Sequence, residues 1–396
     1  MSGHVLFSHG SVRTATRISA PRRNRSSPDN IDMDTVHVSL GSRSYDIRFA
    51  SEDADAFGEF VRLSVPKAKL ALVVTDANTV AHGDGIRAKL ERAGVRTATV
   101  AIPAGEASKS LGEYARLLDH LAELPADRDT LVVAVGGGVV GDLAGFAAAS
   151  YNRGLPLILV PTTLLSMVDS SVGGKTGINH AKGKNLIGAF HQPAGVWIDP
   201  AFLDTLPDRE YRSGLAEVVK YGVILDADFF AWIEANTTAI LARDVAAVKY
   251  MVAKSCRLKA DVVENDEREE TGLRAVLNYG HTFAHAFETV AGYGSWLHGE
   301  AVSAGMVCAA LLKCRVRNSE CGLEDEVSER QLRLLQRFQL PTQPKPEWDI
   351  DAMIGVMRRD KKAVAGQLRF VLPTRMGHVE LVDGIPEALV RTVLKR

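Results

Sequence analysis

The sequence predicts an α/β plus α fold, in which a mostly parallel sheet covered by helices precedes a largely α-helical part. Three observations support this prediction. Short apolar runs alternate with helical patterns up to about residue 205, a glycine-rich turn directly follows one of these runs, and after Pro207 the apolar spacing becomes that of helices. At 396 residues the chain is long enough for two domains, since single cores stop growing at about 250–300 residues.

The strand signals lie in the first part of the chain. Apolar runs rich in β-branched residues occupy positions 36–40, 70–74, 97–102, 131–135, 157–160 and 196–198. Between them, Tyr114, Leu117, Leu118 and Leu121 repeat at helical spacing, as expected for a helix that packs one face on a sheet. Such alternation is typical of a mostly parallel sheet. We therefore expect an α/β domain over residues 36–205.

The second part, residues 206–396, is expected to be mainly helical. Segments 229–263, 282–290 and 301–316 place apolar residues every three to four positions. Near the end, the runs 368–372 and 379–382 flank a turn-like stretch, 373–377, and predict a small hairpin. The first 28 residues contain five arginines, six serines and no acidic residue, a composition shared by disordered tails and organellar transit peptides. We predict a disordered extension over residues 1–35.

Composition narrows the class of function. The formal net charge is -1 at pH 7, so no general attraction to nucleic acid or to anionic membranes is expected. No apolar run approaches the ~20 residues that a membrane span requires. The four cysteines, Cys256, Cys308, Cys314 and Cys321, form no Cys-x-x-Cys pair and are typical of a reducing compartment. We therefore expect a cytoplasmic protein.

A dinucleotide-binding turn is predicted directly after the run 131–135. Gly136, Gly138 and Gly141 satisfy the spacing G-x-G-x-x-G, and glycines at a strand-to-helix turn let the backbone approach a pyrophosphate. Asp76, with Asn78 two residues on, ends another apolar run, and an acid at a strand terminus can bind ribose hydroxyls. Because this acid precedes the glycine turn, the pattern indicates a variant Rossmann-like domain. The alternative is a glycine turn that serves close packing alone.

Histidines and a carboxylate predict a metal site in the second part. His281, His285 and His298 fall within 18 residues, and the four-residue spacing of the first two suggests a ligand pair on one helix face. Glu217, three residues before Lys220, could supply a third ligand, and two imidazoles with a carboxylate suit a catalytic zinc site. Alternatively, Glu217 and Lys220 form an exposed helix pair, and one histidine is a satisfied core residue.

A polar segment between the two parts predicts an anion site, because glycine-spaced lysines and amides can converge on one phosphate. The segment comprises Asp169, Lys175, Asn179, Lys182, Lys184 and Asn185. The alternative is a solvated loop. The Asp169 carboxylate, embedded among small residues, would be available to position a lysine or a proton.

The order of these motifs resembles that of the 3-dehydroquinate synthases, over about residues 36–382. The matching segments are 137–142 (GGVVGD), 161–165 (PTTLL), 168–175 (VDSSVGGK), 183–185 (GKN), 214–220 (GLAEVVK), 278–282 (NYGHT), 297–300 (LHGE) and 360–361 (DK). The agreement of many ordered motifs is highly specific, whereas a single one would not be. Departures are a spacing from Lys259 to Arg274 that is one residue longer and Ala284 in place of a glycine.

The resemblance implies a set of site residues. It implies that Glu217, His281 and His298 hold a divalent metal, Zn or Co, which leaves His285 for the substrate. It places NAD against Asp76, Asn78, Glu106, Lys109, Gly137, Gly138, Val139, Asp142, Thr162, Thr163, Lys184, Phe202 and Thr205. It implies catalytic roles for Asp169, Lys175, Lys220, Asn278 and His285, and substrate binding by Arg153, Asn185, Lys259, Arg274 and Lys361.

The ends of the substrate are assigned by the same resemblance. Its phosphate would be bound by Lys175, Asn185, Asn278 and His285, and its carboxylate by Lys259, Arg274 and Lys361; spacing alone does not separate Lys361 from Lys362. A homodimer is also implied, in which Arg153 reaches the phosphate site of the neighbouring subunit.

The implied reaction converts 3-deoxy-D-arabino-heptulosonate 7-phosphate to 3-dehydroquinate and phosphate, a step of the shikimate route. It proceeds by transient oxidation with NAD, phosphate elimination, reduction, ring opening and intramolecular aldol closure, with no net redox change. The nearest rival is a sugar phosphate cyclase acting on sedoheptulose 7-phosphate or glucose 6-phosphate, which lack the carboxylate. More distant are a metal-dependent alcohol or glycerol dehydrogenase and a catalytically silent relative.

Overall fold

The computed structural model describes residues 32–395, apart from residues 52, 293, 317–324 and 360–367. The predicted extension therefore lies outside the described residues as far as position 31, and Thr35 already belongs to the first strand. Lys361 and Lys362 also lie outside the described residues. Within the described part of the chain, no helix is long and apolar enough to cross a membrane.

The elements are numbered in chain order. The strands are β1 (Thr35–Val38), β2 (Tyr45–Phe49), β3 (Leu70–Asp76), β4 (Arg96–Ile102), β5 (Leu131–Gly136), β6 (Leu157–Pro161), β7 (Lys175–His180), β8 (Gly183–Phe190), β9 (Gly195–Ile198), β10 (Arg369–Arg375) and β11 (His378–Asp383). The helices are α1 (Ala56–Ser64), α2 (Val80–Arg92), α3 (Leu111–Glu123), α4 (Gly138–Ser150), α5 (Asp208–Leu225), α6 (Ala227–Ala235), α7 (Thr237–Leu241), α8 (Val245–Asn265), α9 (His281–Ala291), α10 (His298–Val316), α11 (Glu326–Arg337), α12 (Ile350–Arg359) and α13 (Glu387–Leu394).

A seven-stranded sheet forms the first part, in the order β1-β2-β9-β6-β5-β3-β4. All neighbouring strands are parallel except the edge pair β1 and β2. Every strand run predicted from the sequence is present, whereas β2 was not predicted. The predicted helix is α3, which buries Leu117 and Leu121. The α/β plus α class is thus confirmed, with a Rossmann-like parallel sheet followed by a mostly helical part.

The helical part contains breaks that apolar spacing does not show. Segment 229–263 divides into α6, α7 and α8; one aspartate caps α6 just before the segment, and another caps α8 inside it. Asp226 Oδ1 accepts hydrogen bonds from the backbone of Asp228 and Phe229, and Asp244 Oδ1 accepts one from Ala247 N. Such N-capping by a side chain satisfies backbone donors that would otherwise lack a partner at a helix start.

Two hairpins lie beside the main sheet. The predicted one is present as β10 and β11, but Pro373 belongs to β10 and the pairing shifts register between Pro373 and Arg375, as expected where proline removes a ladder donor. The other, β7 and β8, occupies the polar segment for which a loop was the alternative, and β7 packs on α4. Sequence periodicity did not predict this second hairpin, because glycine, lysine and asparagine dominate it.

The apolar core extends through both parts of the chain. One face of the sheet and the helices α5, α8, α9 and α10 contribute to a single buried cluster. A smaller cluster on the opposite face contains Phe57, Phe60 and Trp197. The N-terminal strands also contact the helical part directly, since Ser39 N donates to Glu264 Oε1 at 2.9 Å.

Candidate active site

The carboxyl ends of the parallel strands bring together many of the residues predicted to bind the cofactor. Asp76 ends β3, Thr162 and Thr163 directly follow β6, and the short helix Pro200–Thr205, which contains Phe202 and Thr205, follows β9. Because these strands are parallel, their ends meet at one edge of the sheet. Ligands of open α/β sheets bind at this edge.

The glycine turn joins β5 to α4 at the same edge. A Cβ on Gly136 would lie 2.5 Å from Val140 Cγ2, so close packing accounts for this glycine. Gly137 borders a pocket lined also by Ser166, Ser170 and Ser171, and the N-terminus of α4 receives no side-chain cap. Uncapped N–H groups beside a pocket suit a pyrophosphate. Close packing therefore explains Gly136, whereas the uncapped helix start at Gly137 would suit an anion.

Asp76 is oriented by its own turn. Its Oδ1 accepts hydrogen bonds from Asn78 N at 2.9 Å and from Thr79 N at 3.1 Å, while Thr79 Oγ1 donates to it at 3.0 Å. Thr79 Oγ1 also lies 3.2 Å from Val135 O on the neighbouring strand. The carboxylate of Asp76 is therefore held next to the start of the glycine turn.

Lys109 links the sheet edge to the β7–β8 hairpin. Its Nζ donates to Asp142 Oδ2 at 2.7 Å and to Asn185 Oδ1 at 2.5 Å, and the neighbouring Glu106 accepts from Asn179 Nδ2 at 2.8 Å. Burial raises the pKa of Asp142 despite the Lys109 cation. Residues predicted for the cofactor and for the substrate phosphate are thus in direct contact.

Three side chains from three helices converge in the helical part. Glu217 lies within α5, His281 begins α9 and His298 begins α10. The Nε2 atoms of His281 and His298 lie 3.6 Å and 3.8 Å from Glu217 Oε1, and one ligand atom from each residue lies within 4.8 Å of the others. Two imidazoles and a carboxylate at this spacing could hold one divalent ion. His285 lies one turn along α9, with its ring centroid 5.7 Å from that of His281.

Glu217 and Lys220 are buried, so the alternative of an exposed helix pair is excluded. The two side chains form an ion pair inside α5, but neither carboxylate oxygen of Glu217 makes a hydrogen bond within the described part of the chain. A fully buried carboxylate without hydrogen bonds is costly unless further positive charge approaches it. The site therefore has the electrostatic character of a cation site.

Glycines at the contacts between helices allow the close approach that positions these three side chains. Gly299 N donates to Ser213 Oγ at 3.1 Å, and a Cβ on Gly299 would lie only 1.8 Å from Ser213 O. A Cβ on Gly305 would likewise lie 2.3 Å from Gly280 O. The starts of α9 and α10 approach α5 because these positions lack side chains.

We expect Gly299→Ala to weaken metal binding at least about tenfold, because the added methyl must displace the start of α10 and misplace His298. Metal affinity measured by competition with a chromophoric chelator checks this, with circular dichroism as the test of folding. Gly85→Ala in α2 is the matched control, since nothing lies within 4 Å of a Cβ there. Unchanged metal affinity in Gly299→Ala would contradict the packing argument.

Asp169 is the centre of a buried charged cluster. Lys259 Nζ and Tyr221 OH each donate to its Oδ1 at 2.8 Å. Burial raises the pKa of Asp169, but the Lys259 and Lys220 cations and these hydrogen bonds outweigh burial and hold that pKa well below its ordinary value. Asp169 is therefore ionised at neutral pH and positions a lysine, one of the two roles considered from the sequence.

For two cations of this cluster, in contrast, burial outweighs the attraction of the neighbouring carboxylates, and their pKa values are lowered. Burial, with the Arg274 and Lys220 charges, lowers the pKa of Lys259 although Asp169 opposes the shift. Burial also lowers the pKa of Arg274. Several cations thus share few carboxylates in a buried space, an arrangement that an anionic ligand would stabilise.

The depressed pKa of Asp169 predicts a pH-dependent contribution to stability. A carboxylate with a lowered folded-state pKa stabilises the fold above its unfolded pKa of about 3.9 and loses this contribution as pH falls through the folded value. We expect Asp169→Asn to cost about 3–5 kcal/mol at pH 7, because Lys259 stays buried without its carboxylate. The difference from the parent chain should shrink below about pH 4. Urea unfolding at pH 7, 4 and 3 measures it; a difference that grew on acidification would oppose the assignment.

Glu269 lies between two cations predicted for opposite ends of the substrate. It forms an ion pair with Lys175, and its Oε1 lies 3.7 Å from Arg274 Nε, beyond hydrogen-bond distance. Arg274 Nη1 donates to Glu267 O at 2.8 Å, whereas Nε makes no hydrogen bond to any described residue. The guanidinium is thus fixed by the backbone, and its Nε remains without a hydrogen bond among the described residues.

For three further predicted residues, we report only where they lie along the chain. Asn278 ends the short helix Leu273–Asn278 that precedes α9. Arg153 is exposed at a turn with φ 66°, and Lys361 lies outside the described residues. The longer spacing from Lys259 to Arg274 falls partly in the connection after α8.

Besides Glu269, two residues that contact the site were not predicted. Tyr221 donates to Asp169, and Glu288 contacts both His298 and Lys184. Helical periodicity could have indicated Glu288, because it lies three residues after His285 and seven after His281, on one face of α9. No comparable sequence signal indicates Tyr221, since its contact depends on how α5 packs.

Comparison with solved structures places the fold and site in one class. The 2-epi-5-epi-valiolone synthase from Streptomyces hygroscopicus, with NAD+ and Zn2+ bound, is 27% identical, with a TM-score of 0.79 over 90% of this chain and 97% of that one. A 2-deoxy-scyllo-inosose synthase complexed with carbaglucose-6-phosphate, NAD+ and Co2+ is 26% identical, with a TM-score of 0.79 over 91% and 99%. The fold is that of the sugar phosphate cyclases.

Sequence comparison identifies the family within this class. Models described as 3-dehydroquinate synthase N-terminal and C-terminal match residues 99–213 and 214–363. The 3-dehydroquinate synthase from Rhodopirellula baltica is 48% identical over 371 residues, which cover 91% of this chain and 97% of that protein. The chain belongs to the 3-dehydroquinate synthase family, and the resemblance seen in the motifs is confirmed.

Proposed function

We propose that this chain converts 3-deoxy-D-arabino-heptulosonate 7-phosphate to 3-dehydroquinate and phosphate, with NAD and a divalent metal, Zn or Co, as cofactors. The convergence of Glu217, His281 and His298 supports this proposal most directly. It lies in a chain of the 3-dehydroquinate synthase family, and two solved cyclase neighbours contain NAD+ with Zn2+ or Co2+.

The residues present fit a divalent metal. Glu217 offers a buried carboxylate whose oxygens make no hydrogen bond within the described residues, and the two imidazoles face it. When bound, such an ion polarises substrate hydroxyls, while NAD accepts a hydride and returns it. Glu217, His281 and His298 would hold the ion and thereby orient the hydroxyls.

The cofactor-binding residues are proposed from their place at the sheet edge. Asp76 would bind ribose hydroxyls, while Gly137, Gly138 and Val139 at the start of α4 would face the pyrophosphate. Lys109, held by Asp142 and beside Glu106, would border both cofactor and substrate. Asn78, Thr162, Thr163, Lys184, Phe202 and Thr205 complete the proposed set.

The substrate would bind with its two anionic ends on separate groups of cations. Lys175 and Asn185, with Asn278 and His285, would bind the phosphate. Arg274 and Lys259 would bind the carboxylate, together with Lys361. The Nε of Arg274 is an available donor in a buried guanidinium, and charge-assisted pairs of this kind are strong. A carboxylate-binding group favours the heptulosonate over sedoheptulose 7-phosphate, which has no carboxylate.

The charged cluster around Asp169 would place charges and hydrogen-bond donors beside the substrate. Asp169 is ionised and would hold Lys259 against the substrate. Tyr221 stays a neutral donor, because burial raises its pKa well above the ordinary value. Lys220 would place its charge between the metal ligand Glu217 and Asp169. These side chains would exclude water and fix the sugar for ring closure, where orientation supplies much of the advantage.

Three further assignments belong to this proposal. The cofactor-binding domain would comprise residues 36–205, and the metal- and substrate-binding domain residues 206–396. The active form would be a homodimer, in which the exposed Arg153 reaches the phosphate site of the partner subunit. We place the protein in the cytoplasm, in line with its few dispersed cysteines.

Phosphate release from the heptulosonate tests the proposal. We expect release that requires metal and NAD, stops with chelator and leaves no NADH absorbance at 340 nm. Sedoheptulose 7-phosphate in the same assay is the control for substrate class. Turnover of sedoheptulose 7-phosphate without turnover of the heptulosonate would refute the specific assignment, and accumulation of NADH would indicate a dehydrogenase.

A further inference from the structure

Glu288 on α9 is a buried carboxylate that contacts both the metal-ligand group and the cofactor group. Its Oε1 lies 3.6 Å from Nδ1 of His298 and 3.3 Å from Nζ of Lys184. The side chain of Glu288 is 9% exposed. The family comparison and the site prediction assign it no role.

The two ring nitrogens of His298 face different carboxylates. Nε2 lies 3.8 Å from Glu217 Oε1, and Nδ1 faces Glu288. A histidine that binds a metal through one nitrogen usually donates its other N–H to a carboxylate, which fixes the tautomer and the orientation of the ring. The position of Glu288 fits this arrangement, with Nε2 left for the metal.

The second partner of Glu288 belongs to the hairpin. Lys184 lies in β8, which carries Asn185 in contact with Lys109. Burying a carboxylate costs several kcal/mol unless cations compensate it. Lys184 Nζ, 3.3 Å from Glu288 Oε1, supplies one such cation.

We propose that Glu288 is a positioning residue that orients His298 for the metal and Lys184 for the dinucleotide, and so couples the two binding sites. This inference rests on the proposed metal and NAD sites. Metal binding fixes His298 and, through the shared carboxylate, the position of Lys184. By linkage, NAD must then favour metal binding by the same factor.

The test uses full-length protein and measures binding rather than turnover. Zn2+ affinity is determined by competition with a chromophoric chelator, and NAD affinity by calorimetry with and without Zn2+. In the parent chain we expect Zn2+ to tighten NAD binding about 5-fold or more. Glu288→Gln should lower Zn2+ affinity about 10–100-fold and remove the effect of Zn2+ on NAD binding. Glu288→Asp should recover part of both.

Two further variants separate positioning from general destabilisation. Glu234→Gln is the matched control, because Glu234 pairs with Arg330 between α6 and α11, away from the site; it should change neither affinity. Lys184→Met should keep Zn2+ affinity within a few-fold but lose the coupling. Thermal unfolding of the metal-free variants checks that each one folds.

The possible outcomes distinguish this inference from the proposed function. If Glu288→Gln binds Zn2+ as the parent chain does, or keeps the effect of Zn2+ on NAD binding, the inference is overturned even where the parent chain releases phosphate. If the parent chain shows both binding effects but releases no phosphate from the heptulosonate, the inference stands and the proposed reaction fails.

Discussion

Replacing Glu217 by glutamine is expected to lower phosphate release by at least about a thousandfold and to weaken metal binding in parallel. The amide keeps the shape of the side chain but removes the negative charge that faces His281 and His298 at 3.6 Å and 3.8 Å. Metal ions stabilise transition-state charge by several kcal/mol, and each 1.36 kcal/mol corresponds to a factor of ten in rate. Metal content, chelator competition and phosphate release measure the effect.

A pair of histidine variants serves as the control for this prediction. His281→Asn should lose metal affinity, whereas His285→Asn, one turn along the same helix, should retain it and raise KM or lower kcat instead. Equal loss of metal in both variants would restore the ligand pair suggested by helical spacing. Metal retention in Glu217→Gln would remove this residue from the ligand set.

Lys175→Ala is expected to lower kcat/KM for phosphate release about 100- to 1000-fold, with NAD affinity changed by no more than a few-fold. Lys175 begins β7 and pairs with Glu269, and its proposed partner in the reaction is the substrate phosphate. Loss of one donor that stabilises developing charge typically costs this factor. Single-turnover phosphate release and NAD titration separate the two effects.

Lys182→Ala provides the matched comparison, because Lys182 is exposed in the turn between β7 and β8. It should leave both quantities near the parent values. A Lys175 variant that lost NAD affinity while retaining the rate of phosphate release would assign this lysine to the cofactor.

The local spacing of apolar residues was sufficient to predict most of the strands and helices, because that spacing depends only on residues close together in sequence. The strand ends, the glycine turn and the convergence at the sheet edge all follow from it. The hairpin β7–β8 was missed because its apolar residues, such as Ile178, Leu186 and Ile187, do not alternate regularly with polar ones and so do not mark a strand pair. The break between α7 and α8 was missed because a single aspartate, Asp244, outweighs the apolar period around it.

The metal cluster shows where local spacing is insufficient. The interval between His281 and His285 suggests a pair, but His298 reaches the cluster on another helix, through packing at Gly299 that spacing cannot reveal. Family resemblance supplied this grouping, and the coordinates bring the three side chains together. Glu269 and Tyr221 were missed because their contacts arise only when distant segments pack.

The two parts of the chain share one apolar core, so we expect neither to fold by itself. Strands β1 and β2 and the helices from α5 onward bury their side chains in one cluster, so neither segment alone can hide its apolar face from water. Expressed as separate polypeptides, residues 32–205 and 206–395 should aggregate or remain partly folded, and should recover a defined structure only when produced together.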